Sequence, residues 1–172
     1  AELAAASFAN SIFVIIMVFG LGILLGLTPL ISHSLGSGDE KIVAYHIKNG
    51  FILTLIAASI LTLVTFSLTA FMPYMGQSED VVRLAIPYFK TLAISLIPLL
   101  LFIFLKQTGE GFGNTILAMY ATLIANLINI VLNYLLIYGK FGFPELGLLG
   151  AGYATLISRV AAPIILFICF RK

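Results

Sequence analysis

Three asparagines lie on one face of a predicted helix in the second half of the chain. Asn126, Asn129 and Asn133 are three and four residues apart, the spacing of neighbours on a helix. Thr122 extends this polar stripe by one more turn. A side-chain amide that faces lipid costs free energy, so we expect this face to meet protein or a water-filled cavity. Two interpretations remain open. The amide oxygens line a cation or substrate site, or the amides join helices through hydrogen bonds of about 0.6 kcal/mol each.

A single arginine lies near the middle of the last apolar segment. Because a charge at the centre of a membrane is costly, Arg159 is expected to face a cavity or a partner group, or to extend toward one membrane surface. Tyr134 is expected in an aromatic belt at the membrane surface, although its place beside the polar stripe also fits a cavity wall.

The acidic residues all lie at the chain ends or in predicted loops, and none lies at the centre of an apolar segment. They are Glu2, Asp39, Glu40, Glu79, Asp80, Glu110 and Glu145. Carriers driven by protons or sodium usually hold the coupling ion on a buried acid. We therefore expect that the chain couples without a carboxylate, or that the carboxylate lies in sequence beyond these residues.

The composition is that of a protein dissolved in lipid. Hydrophobic residues make up 61% of the chain and charged residues 9%, with a mean hydropathy of +1.15, whereas soluble domains are about 25% charged. A net charge of +2 is too small for a nucleic-acid surface. The sequence contains no zinc-ligand spacing, no phosphate-binding glycine loop and no pairing of nucleophile and base, so we expect no metal site, no cofactor and no enzyme activity.

Apolar runs of about 20 residues, separated by polar loops, predict five membrane-spanning helices. The predicted spans are residues 7–32, 42–72, 81–105, 115–138 and 150–170. They indicate an all-α polytopic membrane helix bundle that occupies residues 1–172. The first and third loops with the C-terminus hold five basic residues, against three on the other side, which favours the first set as cytoplasmic.

Local signals add detail to these spans. Gly22 and Gly26 are four residues apart, a spacing that predicts close packing against another helix. Pro29 is expected to kink or end the first helix, and Asp39 to cap the start of the second. Three glycines within residues 106–113 predict a short break between the third and fourth spans.

The order of these motifs resembles the multidrug and toxic compound extrusion (MATE) family. Residues 126–139 are similar to the fifth helix of that family, and residues 143–147 and 150–155 to the loop and helix that follow. Residues 28–39 resemble the end of its second helix. Residues 106–111 resemble an Arg-x-x-x-acid-Gly element, with Lys in place of Arg.

The resemblance implies about twelve helices in two lobes, which rock to carry substrate through a central cleft. Members export organic cations and other amphiphilic drugs in exchange for H⁺ or Na⁺. The chain would then correspond to helices two to six of the six-helix N-terminal lobe. The first helix of that lobe and the whole C-terminal lobe would lie outside these residues. Its expected partners are the lipid bilayer and a drug-like substrate, and its expected location is the inner membrane of a bacterium.

The resemblance also assigns roles to residues of the polar stripe. In the family, an Asp on the first helix and two polar residues one turn apart on the fifth bind the coupling cation. Asn129 and Asn133 match the latter two positions, so they are implied as cation ligands. The second of these fifth-helix positions, which Asn133 matches, is Asp in some relatives. Asn133 has no carboxylate, so it cannot bind a proton as that Asp can. The cavity-lining candidates are Asn126, Thr122, Tyr134 and Arg159, with Asn126 still explained as well by helix packing.

Two other functions remain possible at this point. A flippase for lipids or lipid-linked oligosaccharides would share the fold, but would place more positive charge in its cavity than Arg159 and Lys90 supply. A membrane scaffold subunit that transports nothing would have five spans and no functional cavity.

Overall fold

The structure, a computed structural model, describes residues 1–171 and is built from α-helices. The helices are α1 (Glu2–Leu25), α2 (Leu27–Gly36), α3 (Glu40–Leu68), α4 (Glu79–Gly111), α5 (Ile116–Tyr138) and α6 (Gly147–Phe170). Short 3-10 turns at Met72–Tyr74 and Lys140–Gly142 lie in the loops after α3 and α5.

Five helical segments are long and apolar enough to cross a membrane, with α1 and α2 together forming the first. The shortest, α5, has 23 residues, which at 1.5 Å per residue is about 35 Å, more than the hydrocarbon thickness of about 30 Å. The predicted all-α membrane bundle is therefore confirmed, and the chain is an integral membrane protein.

The first span is interrupted where the sequence predicts a kink or a helix end. α1 ends at Leu25 and α2 begins at Leu27. Pro29 has no backbone N–H, and its ring would collide with the carbonyl of Leu25, four residues earlier. The hydroxyl of Thr28 then donates to the side-chain oxygen of Gln107 at 2.8 Å, which attaches α2 to α4.

The start of α3 also follows the sequence signal. The carboxylate of Asp39 accepts hydrogen bonds from the backbone N–H groups of Lys41 and Ile42, both at 3.1 Å. Asp39 is therefore the N-cap of α3, and it satisfies two donors that have no partner within the helix.

The break between the third and fourth spans was predicted at residues 106–113, but α4 continues through Gly111 and the break lies at residues 112–115. A Cβ atom at Gly109 would lie 2.6 Å from the ring of Phe170, and one at Gly111 would lie 2.7 Å from Ile31. These glycines allow neighbouring helices to approach, and that packing outweighs the low helix propensity of glycine. The ion pair of Lys106 with Glu110, at 3.7 Å and one turn apart, also lies on this helical end.

Gly22 and Gly26, which were predicted to pack against another helix, meet no other helix among the described residues. Both are exposed, and a Cβ at either would meet no atom within 4 Å. Gly22 is two residues from the buried Gly20 and so points to the opposite side of α1. The close approach in this helix occurs at Gly20, which packs against Leu100.

The helix α4 is the centre of the bundle. Its most apolar stretch is 56% buried, against 28% or less for the other spans. It packs against α1, α2, α3 and α6. In contrast, α5 packs chiefly against α6 and only lightly against α4. Since α4 and α5 touch only lightly, a gap lies between them, and α6 packs against both helices.

Candidate functional site

Two glycines near the start of α6 set its distance from both neighbours. A Cβ at Gly150 would lie 2.5 Å from the backbone oxygen of Leu136 in α5. A Cβ at Gly152 would collide with the hydroxyl of Thr91 in α4. Since residues two apart point to nearly opposite sides of a helix, these glycines let α6 fit tightly between α4 and α5.

The gap between α4 and α5 is a cavity of about 290 Å³, closed on its third side by α6. Its wall is part apolar and part polar. The lining residues are Leu99, Phe102, Thr122, Ala125, Asn126, Asn129, Thr155, Ser158, Arg159 and Ala162.

A chain of hydrogen bonds joins the polar stripe of α5 to α6. The side-chain nitrogen of Asn133 donates to the side-chain oxygen of Asn129 at 2.9 Å. The nitrogen of Asn129 donates to the hydroxyl of Ser158 at 3.2 Å, and this hydroxyl donates to the carbonyl of Thr155 at 3.0 Å. Each member of the relay donates to the next, in the order Asn133, Asn129, Ser158 and Thr155, so the open acceptor is at the Asn133 end.

That open acceptor is the side-chain oxygen Oδ1 of Asn133. It is buried and has no hydrogen-bond partner among the described residues. A buried acceptor left in this way costs about 1–3 kcal/mol. The oxygen is therefore suited to a hydrogen-bond donor or a cation, and amide oxygens are suitable ligands for hard cations.

Arg159 crosses from α6 toward the helices on the other side of the cavity. Its guanidinium donates to the hydroxyl of Ser95 in α4 at 2.6 Å. It also lies 4.9 Å from the ring centre of Phe13 in α1, within the range of a cation–π contact. The side chain thus lies on the cavity wall and does not extend to a membrane surface.

The other predicted residues divide between the cavity and the surface. Thr122 and Asn126 lie on the cavity wall, and the hydroxyl of Thr122 bonds to its own helix at Ala118. Tyr134 is not among the lining residues. It is 51% exposed and packs its ring 5.9 Å from that of Tyr138, which fits the aromatic belt.

Three hydroxyl residues of this site were not predicted. Thr155 and Ser158 lie three residues apart beside Arg159, so the spacing argument used for α5 would have found them on one face of α6. Ser95 had no such signal, because a single serine in an apolar helix commonly bonds to its own backbone, as Ser95 does with Leu92 at 2.7 Å.

Among the described residues that line the cavity, Arg159 is the only charged one, and none carries a carboxylate. Within residues 1–171 the two ion pairs, Asp80 with Arg83 and Lys106 with Glu110, lie near the ends of α4. The same residues contain no group of three or more His, Cys, Asp or Glu that could hold a metal ion.

Five membrane-spanning helices, three of which line a partly polar cavity, are an architecture typical of membrane transport proteins. The chain belongs to the MatE family, whose model matches residues 1–135. This is a transporter family and not an enzyme family.

Curated relatives agree with this assignment. The multidrug resistance protein NorM of Photobacterium profundum is 33% identical over 91% of this chain and 34% of its own length. A probable multidrug resistance protein NorM of Oceanobacillus iheyensis is 36% identical over 90% of this chain and 35% of its own length. The chain thus spans about a third of the length of these relatives.

A solved structure of a multidrug resistance MATE family transporter of the MOP superfamily, in its inward-facing conformation, has the same fold. It superimposes with a TM-score of 0.89 at 25% identity and covers 98% of this chain and 38% of the other. The family resemblance and the fold class predicted from the sequence are both confirmed.

Proposed function

We propose that the chain forms part of the N-terminal lobe of a secondary active multidrug efflux antiporter. The complete protein exports amphiphilic drugs, organic cations among them, by alternating access of its two lobes. It does so in exchange for Na⁺ or H⁺, in the inner membrane of a bacterium. Support comes from the names of the relatives, the confirmed fold and the partly polar cavity lined by α4, α5 and α6.

The observation that carries the coupling part of this proposal is the relay of Asn133, Asn129 and Ser158. It presents the buried, unpartnered Oδ1 of Asn133 one helical turn from the cavity residue Asn129. In the proposed site this oxygen is a ligand of the coupling cation, and Asn129 orients it. The remaining ligands come from protein outside these residues, including a carboxylate on the helix that precedes them.

The relay also favours coupling over simple helix packing. If the amides served only to join α5 to α6, the bond of Asn129 to Ser158 would be sufficient. Asn133 bonds within its own helix and joins no other described helix. The buried oxygen of Asn133 costs free energy although the side chain joins no helices, and a bound ligand would offset that cost.

The experiment is a transport assay on the full-length protein that contains this chain. The protein is reconstituted into liposomes loaded with ethidium, and a Na⁺ gradient or a pH gradient is imposed separately. Export of the dye is expected to follow one of the gradients and to stop when that gradient is dissipated. Dye movement that ignores both gradients would contradict antiport.

A further inference from the structure

The cationic group of the cavity has no anionic partner in the described chain. Of the nitrogens of Arg159, the structure gives a hydrogen bond to one, and its acceptor is the neutral hydroxyl of Ser95. The two ion pairs within residues 1–171 involve neither of these residues. The charge of Arg159 is thus left unneutralised beside a cavity.

The neighbours of the guanidinium compensate its charge only in part. The Ser95 oxygen accepts one bond, while a guanidinium carries five N–H donors. The ring of Phe13, 4.9 Å away, contributes a cation–π contact, which is weaker than a paired charge. A charge between membrane helices normally pairs with an opposite charge, so this position favours an incoming anion.

The chemistry of arginine narrows the choice of anion. Its planar fork matches the two oxygens of a carboxylate, and it also fits the oxygens of a sulfonate or phosphate. The rest of the wall near Arg159 is apolar, with Leu99, Phe102 and Ala162. A volume of about 290 Å³ lies at the lower end for small-molecule sites and holds one ring system with its charged group.

We propose that Arg159 binds the anionic group of an amphiphilic substrate. The cavity therefore binds amphiphiles that carry an anionic group, zwitterions included, more tightly than simple organic cations such as ethidium, which remain weaker substrates. This inference rests on the proposed function and specifies the substrate class of the same cavity. It places the negative end of the substrate at Arg159 and its apolar body against Leu99 and Phe102.

The coupling cation and the substrate anion occupy different parts of the lobe in this proposal. Asn133, with its unpartnered oxygen, does not line the cavity, whereas Arg159 does. The relay through Asn129 and Ser158 connects the two, because Ser158 is adjacent to Arg159 in the chain and both line the cavity.

The test uses three matched fluorescent probes that share a dansyl ring: one ends in a carboxylate, one in the methyl ester of that carboxylate, and one in an amine. Their binding to the purified full-length protein is measured for the natural sequence, Arg159→Met and Arg159→Lys. The matched control is Lys90→Met, which removes a positive charge from an exposed position on α4 outside the cavity.

Arg159→Met is expected to weaken binding of the carboxylate about tenfold or more, the factor that corresponds to about 1.4 kcal/mol. The ester is expected to bind as before, and the amine to bind more tightly. Lys90→Met is expected to leave all three affinities unchanged. Arg159→Lys keeps the charge but loses the planar fork, so its affinity for the carboxylate is expected to be intermediate.

Equal weakening of all three probes would overturn the proposal, because Arg159 would then hold the helices together or pair with a carboxylate from elsewhere in the protein. An unchanged affinity for the carboxylate would overturn it as well. If Arg159→Met does not fold, Arg159→Lys carries the test, and an unchanged preference for carboxylate over amine contradicts the proposal.

The antiport proposal is tested separately by the ion dependence of export in the natural protein. Absence of gradient-driven export would reject antiport, while the probe preference would still decide the role of Arg159. The two proposals can therefore fail independently.

Discussion

The side-chain oxygen of Asn133 is the atom on which the ion-coupling account depends at the scale of single residues. An amide gives this position a neutral oxygen ligand that does not titrate, whereas a carboxylate there would bind a cation more strongly and would also bind protons. Asparagine and ionised aspartate have nearly the same shape but differ by one negative charge. This difference therefore offers a test of whether the oxygen contacts a cation.

The substitution Asn133→Asp is expected to make transport depend more steeply on pH. The new carboxylate strengthens cation binding where it is ionised and loses that gain when protonated, so the rate should fall as the pH is lowered through its pKa. The measurement is ethidium export by the full-length protein at a fixed ion gradient over a range of pH. A pH profile identical to that of the natural protein would show that no cation contacts this side chain.

Residues of the site differ in how far the sequence could reveal them. The spacing of Asn126, Asn129 and Asn133 placed them on one stripe of α5, because helical periodicity is a local property, and the first two of them line the cavity. The partners Ser158 and Ser95 were not found, since which hydroxyl meets which amide depends on how α6 is placed between its neighbours. Tyr134, one residue beyond Asn133, turned out to lie on the exposed side.

At the scale of helices, the position of α6 determines the site. Gly150 brings α6 against the backbone of α5, and Gly152 brings it against α4. The distance of Asn129 from Ser158, 3.2 Å, depends on this approach. A side chain at Gly150 would separate the two helices that share the relay.

The substitution Gly150→Ala is expected to lower the free energy of unfolding by about 1–3 kcal/mol, the usual cost of overpacking. Its Cβ would lie 2.5 Å from a backbone oxygen, and that atom cannot move aside as a flexible side chain can. The matched control is Gly22→Ala in α1, where a Cβ meets no atom within 4 Å. Thermal unfolding of the purified full-length variants measures both effects.

For the control, little change or a slight stabilisation is expected, because alanine favours a helix more than glycine does. Equal stability of the two variants would mean that the close approach of α5 and α6 at Gly150 is not needed.

Helix boundaries show which features of an element are encoded locally. The helix interruption before Pro29 and the cap at Asp39 were predicted correctly, because each depends on atoms within four residues. The continuation of α4 through Gly111 was not, since it depends on Ile31, a residue 80 positions away in the chain. The exposed Gly22 illustrates the same limit, because spacing alone does not show which side of a helix meets a partner.

At the scale of the whole molecule, the described helices form one side of the transport pathway in the proposed antiporter. α5 packs chiefly against α6, and the part of its surface that carries Thr122 and Asn126 stays exposed. The chain spans about a third of the length of its relatives, with 34% of one and 35% of another covered. Alternating access requires a second lobe to move against this one.

Liposomes that contain only residues 1–172 are therefore expected to show no ion-driven export of ethidium. The full-length protein, assayed in parallel at the same amount, is expected to export the dye. Gradient-driven export by the 172 residues alone would show that a single lobe, or an oligomer of it, is sufficient.

The claim that the relay couples transport to a cation is tested by ion-driven export of full-length relay variants. Asn129→Ala and Asn133→Ala are compared with the natural protein and with Asn49→Ala, an exposed amide on α3 that lies outside the cavity. Both relay variants are expected to fold and enter the membrane but to lose gradient-driven export, while Asn49→Ala retains it. Export at the natural rate in Asn129→Ala and Asn133→Ala would contradict the claim, and the asparagines of α5 would then serve helix packing alone.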